Sequence, residues 1–176
     1  MKKVMLHLIL VLIPVMVMAQ NKAVDRLFEK YGDKDGYTTV YLTKHMFSLF
    51  SNIETDADDP ESEDIIKTFQ SIDNIRVLSS KVVEEGVNFY DELMERLPAK
   101  EYEELMVVHE KEQDTKFLIK KDGEKIKELL MIVGGKSSNA LVLIAGDIDL
   151  KRMSRISKHL GIEGLENMEK IKEKYH

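Results

Sequence analysis

Apolar residues at Val24, Leu27, Phe28 and Tyr31 recur at the spacing that lines one side of a helix, and Gly32 follows them where a helix-ending glycine would stand. A short opening helix is predicted. Tyr37-Thr-Thr-Val-Tyr-Leu-Thr43 is β-branched and aromatic, which predicts a strand, and helical spacing returns from Lys44 to Phe50 through Met46, Phe47, Leu49 and Phe50. Residues 56–64, Asp-Ala-Asp-Asp-Pro-Glu-Ser-Glu-Asp, interrupt the pattern as an acidic loop. Its last three residues, Ser62, Glu63 and Asp64, lead into a helix carrying Ile65, Ile66, Phe69 and Ile72, and residues 74–80 around Ile75, Val77 and Leu78 predict a second strand. From Val82 to Leu97 a stripe of Val83, Val87, Tyr90, Leu93, Met94 and Leu97 predicts another amphipathic helix, with Pro98 just past its end.

The texture then turns to β. Residues 103–111, 115–121, 125–134 and 140–146 are four apolar runs in succession, and Asp122-Gly123 between the second and third is a strong hairpin turn. Leu129 to Val133 and Leu141 to Ile144 are apolar at consecutive positions instead of alternating, so both faces of those strands are expected to be covered. Two closing helices are predicted, one striped by Leu150, Met153, Ile156 and Leu160, the other by Leu165, Met168, Ile171 and Tyr175. The order implies an α+β fold: a two-layer sandwich with a mostly antiparallel or mixed sheet and helices mainly on one face. No repeat or long linker divides residues 20–176, which are expected to form a single domain.

The first 19 residues differ in kind. Lys2 and Lys3 precede an apolar run from Val4 to Met18 broken by His7, and Val17-Met18-Ala19 suits a cleavage site, so the segment reads as a secretory signal peptide cut after Ala19. About 15 residues at about 1.5 Å each fall short of a bilayer core of about 30 Å, which disfavours a membrane span. No cysteine follows the run, so a lipid-modified N-terminus is not available. A periplasmic or secreted location follows, with membrane contact at most peripheral. The count of Cys is 0, so the chain has neither disulfides nor thiol chemistry. Cleavage would remove two lysines and take the formal charge from -6 to -8, which makes nucleic acid a poor partner.

The stretch from Val133 to Gly146 contains Gly134-Gly-Lys-Ser-Ser138, which invites comparison with a phosphate-binding loop. That loop needs a glycine five residues before its Gly-Lys-Ser and a helix directly after it. Leu130 occupies the first position and β-like sequence follows, so a polar loop between strands is expected instead. Asp33-Lys-Asp-Gly36 resembles the start of an EF-hand, but glycine falls at the fourth loop position and Lys44 at the twelfth, which fits a helix-to-strand turn. The acidic stretch 56–64 could hold calcium loosely, although Pro60 and the lack of a shaping glycine favour a solvated loop.

Histidines 45, 109, 159 and 176 show no zinc-ligand spacing; four places after His109 stands Gln113. Neither Ser79 nor Ser80 lies in a nucleophile elbow, so a hydrolase would have to assemble them in space with His109 or with some of the 32 acidic residues. Trp 0 weakens a sugar-cleaving reading. Lys151, Arg152, Arg155 and Lys158 make a basic helix face on an acidic protein, read as a solvated surface capped by Asp149. Six methionines beyond residue 19 fall within apolar elements as core filling.

Together, the signal segment, Leu27-Phe-Glu-Lys-Tyr31 before Tyr37–Thr43, and the stretch from Ile132-Val-Gly-Gly135 to Ile144 resemble the domain of unknown function 4252 family of exported Bacteroidetes proteins. The similarity covers nearly the whole chain after Ala19. It implies a small exported protein and assigns no catalytic, cofactor or metal residue. The function expected is a non-enzymatic envelope binding or interaction protein of unidentified ligand, with another envelope protein as partner and envelope sensing or stress response as a candidate role. Alternatives are a periplasmic hydrolase with a spatially assembled site and a weak calcium binder through residues 56–64. An open sheet edge or an exposed apolar patch would favour interaction.

Overall fold

The computed structural model describes residues 21–50, 60–80, 86–136 and 138–153. The segment read as a signal peptide, the first part of the expected acidic loop and the part of the predicted closing helices beyond Met153 lie outside the described residues.

Helix α1 (Lys22–Tyr31) starts where the Asn21 side chain accepts a hydrogen bond from the Val24 N–H, and it buries Ala23, Val24, Leu27 and Tyr31. Its end is not the expected left-handed glycine. Gly32 keeps right-handed helical geometry, and glycine is needed there because a Cβ would stand 2.5 Å from the Phe28 carbonyl oxygen. Reversal into β1 (Tyr37–Thr43) is made by Gly36 at φ +85°. Helices α2 (Lys44–Phe50) and α3 (Pro60–Ser71) connect β1 to β2 (Ile72–Ser80). Two boundaries move from those expected. The helix begins at Pro60, because proline is compatible with a first helical turn, and Ile72 opens the strand instead of closing the helix.

The helix expected over 82–97 is shorter. Helix α4 spans only Phe89–Met94, because Gly86 at φ +83° and extended Asn88 set the chain up for a cap: Asn88 Oδ1 accepts from the N–H groups of Tyr90 and Asp91. Residues 81–85 lie outside the described residues. Strands β3 (Glu103–His109), β4 (Gln113–Asp122), β5 (Lys125–Gly135) and β6 (Asn139–Ile148) follow as a meander, with the expected turn at Asp122-Gly123.

All six strands join one antiparallel sheet in the order β1-β2-β6-β5-β4-β3. This is the expected α+β sandwich, but the helices stand on both faces instead of mainly one. Leu78, Leu141 and Ile132 are register partners on one face, packed with Leu27 and Tyr31 of α1 and Phe89 and Leu93 of α4. Ile75, Ile144 and Leu129 share the opposite face with Phe47 of α2 and Phe69 of α3. Leu141, Val142, Leu143 and Ile144 therefore alternate between the two cores, which is why β6 carries no polar side to its pattern. Each fully buried Leu or Ile contributes about 1.5–3 kcal/mol by leaving water, so both cores matter to stability.

Candidate functional site: the outer edge of β1

The residues singled out for chemistry do not converge. His109 ends the edge strand β3, where its Nδ1 lies 2.7 Å from Asp114 Oδ1 in an exposed pair. Ser79 and Ser80 lie on β2, and successive strand residues face opposite sides of a sheet. Four strand spacings separate β2 from β3, about 19 Å at about 4.8 Å each. The structure thus holds the imidazole away from both hydroxyls.

The glycine pair of the Gly134–Ser138 stretch has a packing role. Gly134 and Gly135 end β5, and a Cβ on Gly134 would lie 2.1 Å from Asn88 Oδ1, while one on Gly135 would lie 2.2 Å from the Glu112 carbonyl oxygen. They let α4 and the β3–β4 turn approach the sheet. Buried Asn139, at the start of β6, closes the same corner: its Oδ1 accepts from the Phe89 N–H at 2.9 Å and its Nδ2 donates to the Val87 carbonyl at 3.3 Å. A hollow of about 600 Å³ beside them is lined by Asp91, Glu110, Glu112 and Asp114 against Lys111 and Lys136, a charge balance unfavourable to phosphate. A strand and not a helix follows the loop.

Elsewhere several of the acidic and basic groups are paired. Glu63 meets Lys67 one helical turn on, and Asp64 lies 3.5 Å from Arg152, so two carboxylates of the acidic stretch already face cations. Asp149 accepts from the N–H groups of Lys151 and Arg152, the capping expected of it; Arg155 and Lys158 lie outside the described residues. Asp33 and Asp35 form an exposed turn. Among the described residues no three His, Asp or Glu side chains gather as a metal site would need.

Two tyrosine networks, not anticipated from the pattern, tie helix α1 to the rest. Tyr31 donates to Glu92 Oε1 at 2.5 Å while Lys30 Nζ lies 2.8 Å from Glu92 Oε2. Burial pushes the Glu92 carboxyl upward, but the Lys30 and Tyr31 hydrogen bonds outweigh it and hold the group below its ordinary 4.5. Tyr102 donates to Glu128 and accepts from Asn21; burial, then the Glu128 hydrogen bond, raises its phenol far above the usual range. Both phenols stay protonated and structural.

What remains open is β1. Among the described residues it pairs only with β2, over seven consecutive residues without a register shift. No residue in Tyr37–Thr43 is charged, none is proline, and no bulge bends the strand. The three large apolar side chains most exposed among the described residues cluster here: Val40 at 38%, Tyr41 at 60%, and Leu49 at 61% on the helix that leaves the strand. From behind, the strand is held rigid. Tyr37 stacks on Tyr31 with ring centroids 5.1 Å apart, and the Arg76 guanidinium lies between Tyr41 and Phe28 while pairing with Asp25. Every second residue of an edge strand turns its N–H and C=O outward, so β1 offers a row of backbone donors and acceptors to another strand.

The fold and this edge define the class: a helix-flanked antiparallel α+β protein with an uncharged, unbulged sheet edge, and no assembled reaction centre among the described residues. Residues 31–156 match the family described as Domain of unknown function (DUF4252), and the chain belongs to that family. No curated protein and no solved structure matches it. Among the described residues no helix is long and apolar enough to cross a membrane.

Proposed function

We propose that this is an exported, non-enzymatic interaction protein of the cell envelope whose binding element is the outer edge of β1. Export rests on the Lys2-Lys3 start, the apolar run to Met18 and the cleavage signature at Ala19. The interaction reading rests on one observation: an unbulged, uncharged, seven-residue edge strand that carries exposed Val40 and Tyr41. Such an edge favours strand addition, in which backbone hydrogen bonds supply affinity and alternate side chains supply selectivity.

A photo-crosslinking residue at Thr38, introduced into the full-length chain in living cells, tests this together with fractionation. The protein is expected in the periplasmic fraction, shortened by the signal segment, with adducts from position 38 and none from position 109 at the far edge. Cytoplasmic retention, or equal adducts at both edges, would refute the proposal.

A further inference from the structure

Resting on that reading, we infer that the strand added to β1 is β1 of a second copy, which makes the protein a two-fold symmetric dimer with a continuous twelve-stranded sheet. On one face Val40 begins an apolar row of register partners that crosses every strand: Val40, Val77, Val142, Met131, Phe117 and Met106. The row is covered at its far part, where Phe117 is 1% exposed, and ends in water at Val40. An antiparallel copy aligned so that Val40 meets Val40 continues the row into its mirror sequence without a break.

That alignment also gives full overlap. Tyr37 then faces Thr43, Thr38 faces Leu42 and Thr39 faces Tyr41, so all seven positions pair, aromatic and β-branched side chains meet threonines, and no charge is brought against a like charge. Any shifted register leaves positions unpaired. The ends agree as well. Asp33 and Asp35 precede β1 while His45 and Lys44, the latter paired with Asp73 at 2.7 Å, follow it, so antiparallel pairing sets the acidic end of each copy beside an end of the other with no excess of negative charge. Lys34, the cation within the acidic turn, is drawn back over the Tyr31 ring at 5.0 Å. A closed two-fold contact uses the same patch on both partners, so a chain whose formal charge of -6 becomes -8 once Lys2 and Lys3 are removed can associate through this uncharged edge without stacking into fibres.

A single pair of seven-residue strands makes a small interface, below the roughly 1,200 Å² of standard complexes, so the dissociation constant is expected at about 10 µM. Sedimentation velocity of the chain from residue 20 onward, over a range of concentration, measures it. Val40→Lys and Val40→Glu should each weaken the dimer at least tenfold with an unchanged melting temperature, because the symmetric position opposes each new charge to itself. Mixing the two should restore a dimer. Since the chain has no cysteine, Val40→Cys gives a second readout: it should oxidise to a covalent dimer, while Val108→Cys on β3 should not. A wild-type chain that stays monomeric at about 500 µM, or a dimer indifferent to the charge at position 40, overturns the inference. If position 38 crosslinks only to a different protein, the second copy is refuted while the edge remains a binding site; no adduct anywhere refutes both.

Discussion

The outer strands β1 and β3 are each seven residues long, and they meet water in opposite ways. On β3 the pairing with β4 is interrupted between Glu104 and Met106, so Leu105 is an extra residue that twists the edge and is itself 95% hidden. Glu103 and Glu104 carry charge at that edge and are matched by Lys121 and Lys116, and His109 pairs with Asp114. These are the devices by which sheets avoid unwanted partners. β1 has none of them. The molecule therefore defends one side of its sheet and leaves the other available, and this asymmetry is what carries the functional reading.

The strongest way to break the comparison is to remove the anchor of the defended edge. Leu105→Ala should cost about 2–5 kcal/mol in urea unfolding, because a buried side chain is lost, whereas Val40→Ala should cost under about 1 kcal/mol. Equal losses would mean that the two edges are built alike. Next in size is the conversion of β3 into a strand like β1 by Glu103→Thr, Glu104→Thr and His109→Thr together. Stability should fall by no more than about 1 kcal/mol, since these ion pairs are largely exposed, but self-association should rise, read by light scattering against concentration. An unchanged scattering profile would show that the bulge alone suffices.

A smaller effect concerns the support behind β1, where Tyr37 rests on Tyr31 and Tyr31 bonds Glu92. The Glu92 carboxyl is held below its ordinary 4.5, so its contribution to stability is complete above that value and disappears as pH falls through the lowered folded value. Melting temperatures of Glu92→Gln should accordingly fall less steeply than wild type below pH 4.5. Parallel acid limbs would place the pH response elsewhere.

Much of this architecture was legible in the amino-acid order. The Asp122-Gly123 turn, the strand at Tyr37–Thr43 and the double coverage of Leu141 to Ile144 all follow from local pattern, because turn chemistry and side-chain period act within a few residues. The helix over 82–97 was overextended for the same reason: Val87, Leu93 and Leu97 keep helical spacing although Gly86 and Asn88 break the backbone between them. What the pattern could not reveal was the identity of the open edge. Tyr37–Thr43 reads like any strand, and whether it has one neighbour or two depends on where the chain brings β6. Likewise Leu130 and the β-like sequence after the loop already argue against a phosphate cradle, but the packing role of Gly134 and Gly135 is visible only once Asn88 and Glu112 are seen lying against them.

Strand β6 has one more consequence. Among the described residues it is the last strand along the chain, and it hydrogen-bonds to both the β1–β2 pair and the β3–β5 meander. Until residue 148 has emerged from the ribosome the sheet stays in two pieces, joined through helix contacts such as Tyr31 with Glu92, and its completion waits until late in synthesis.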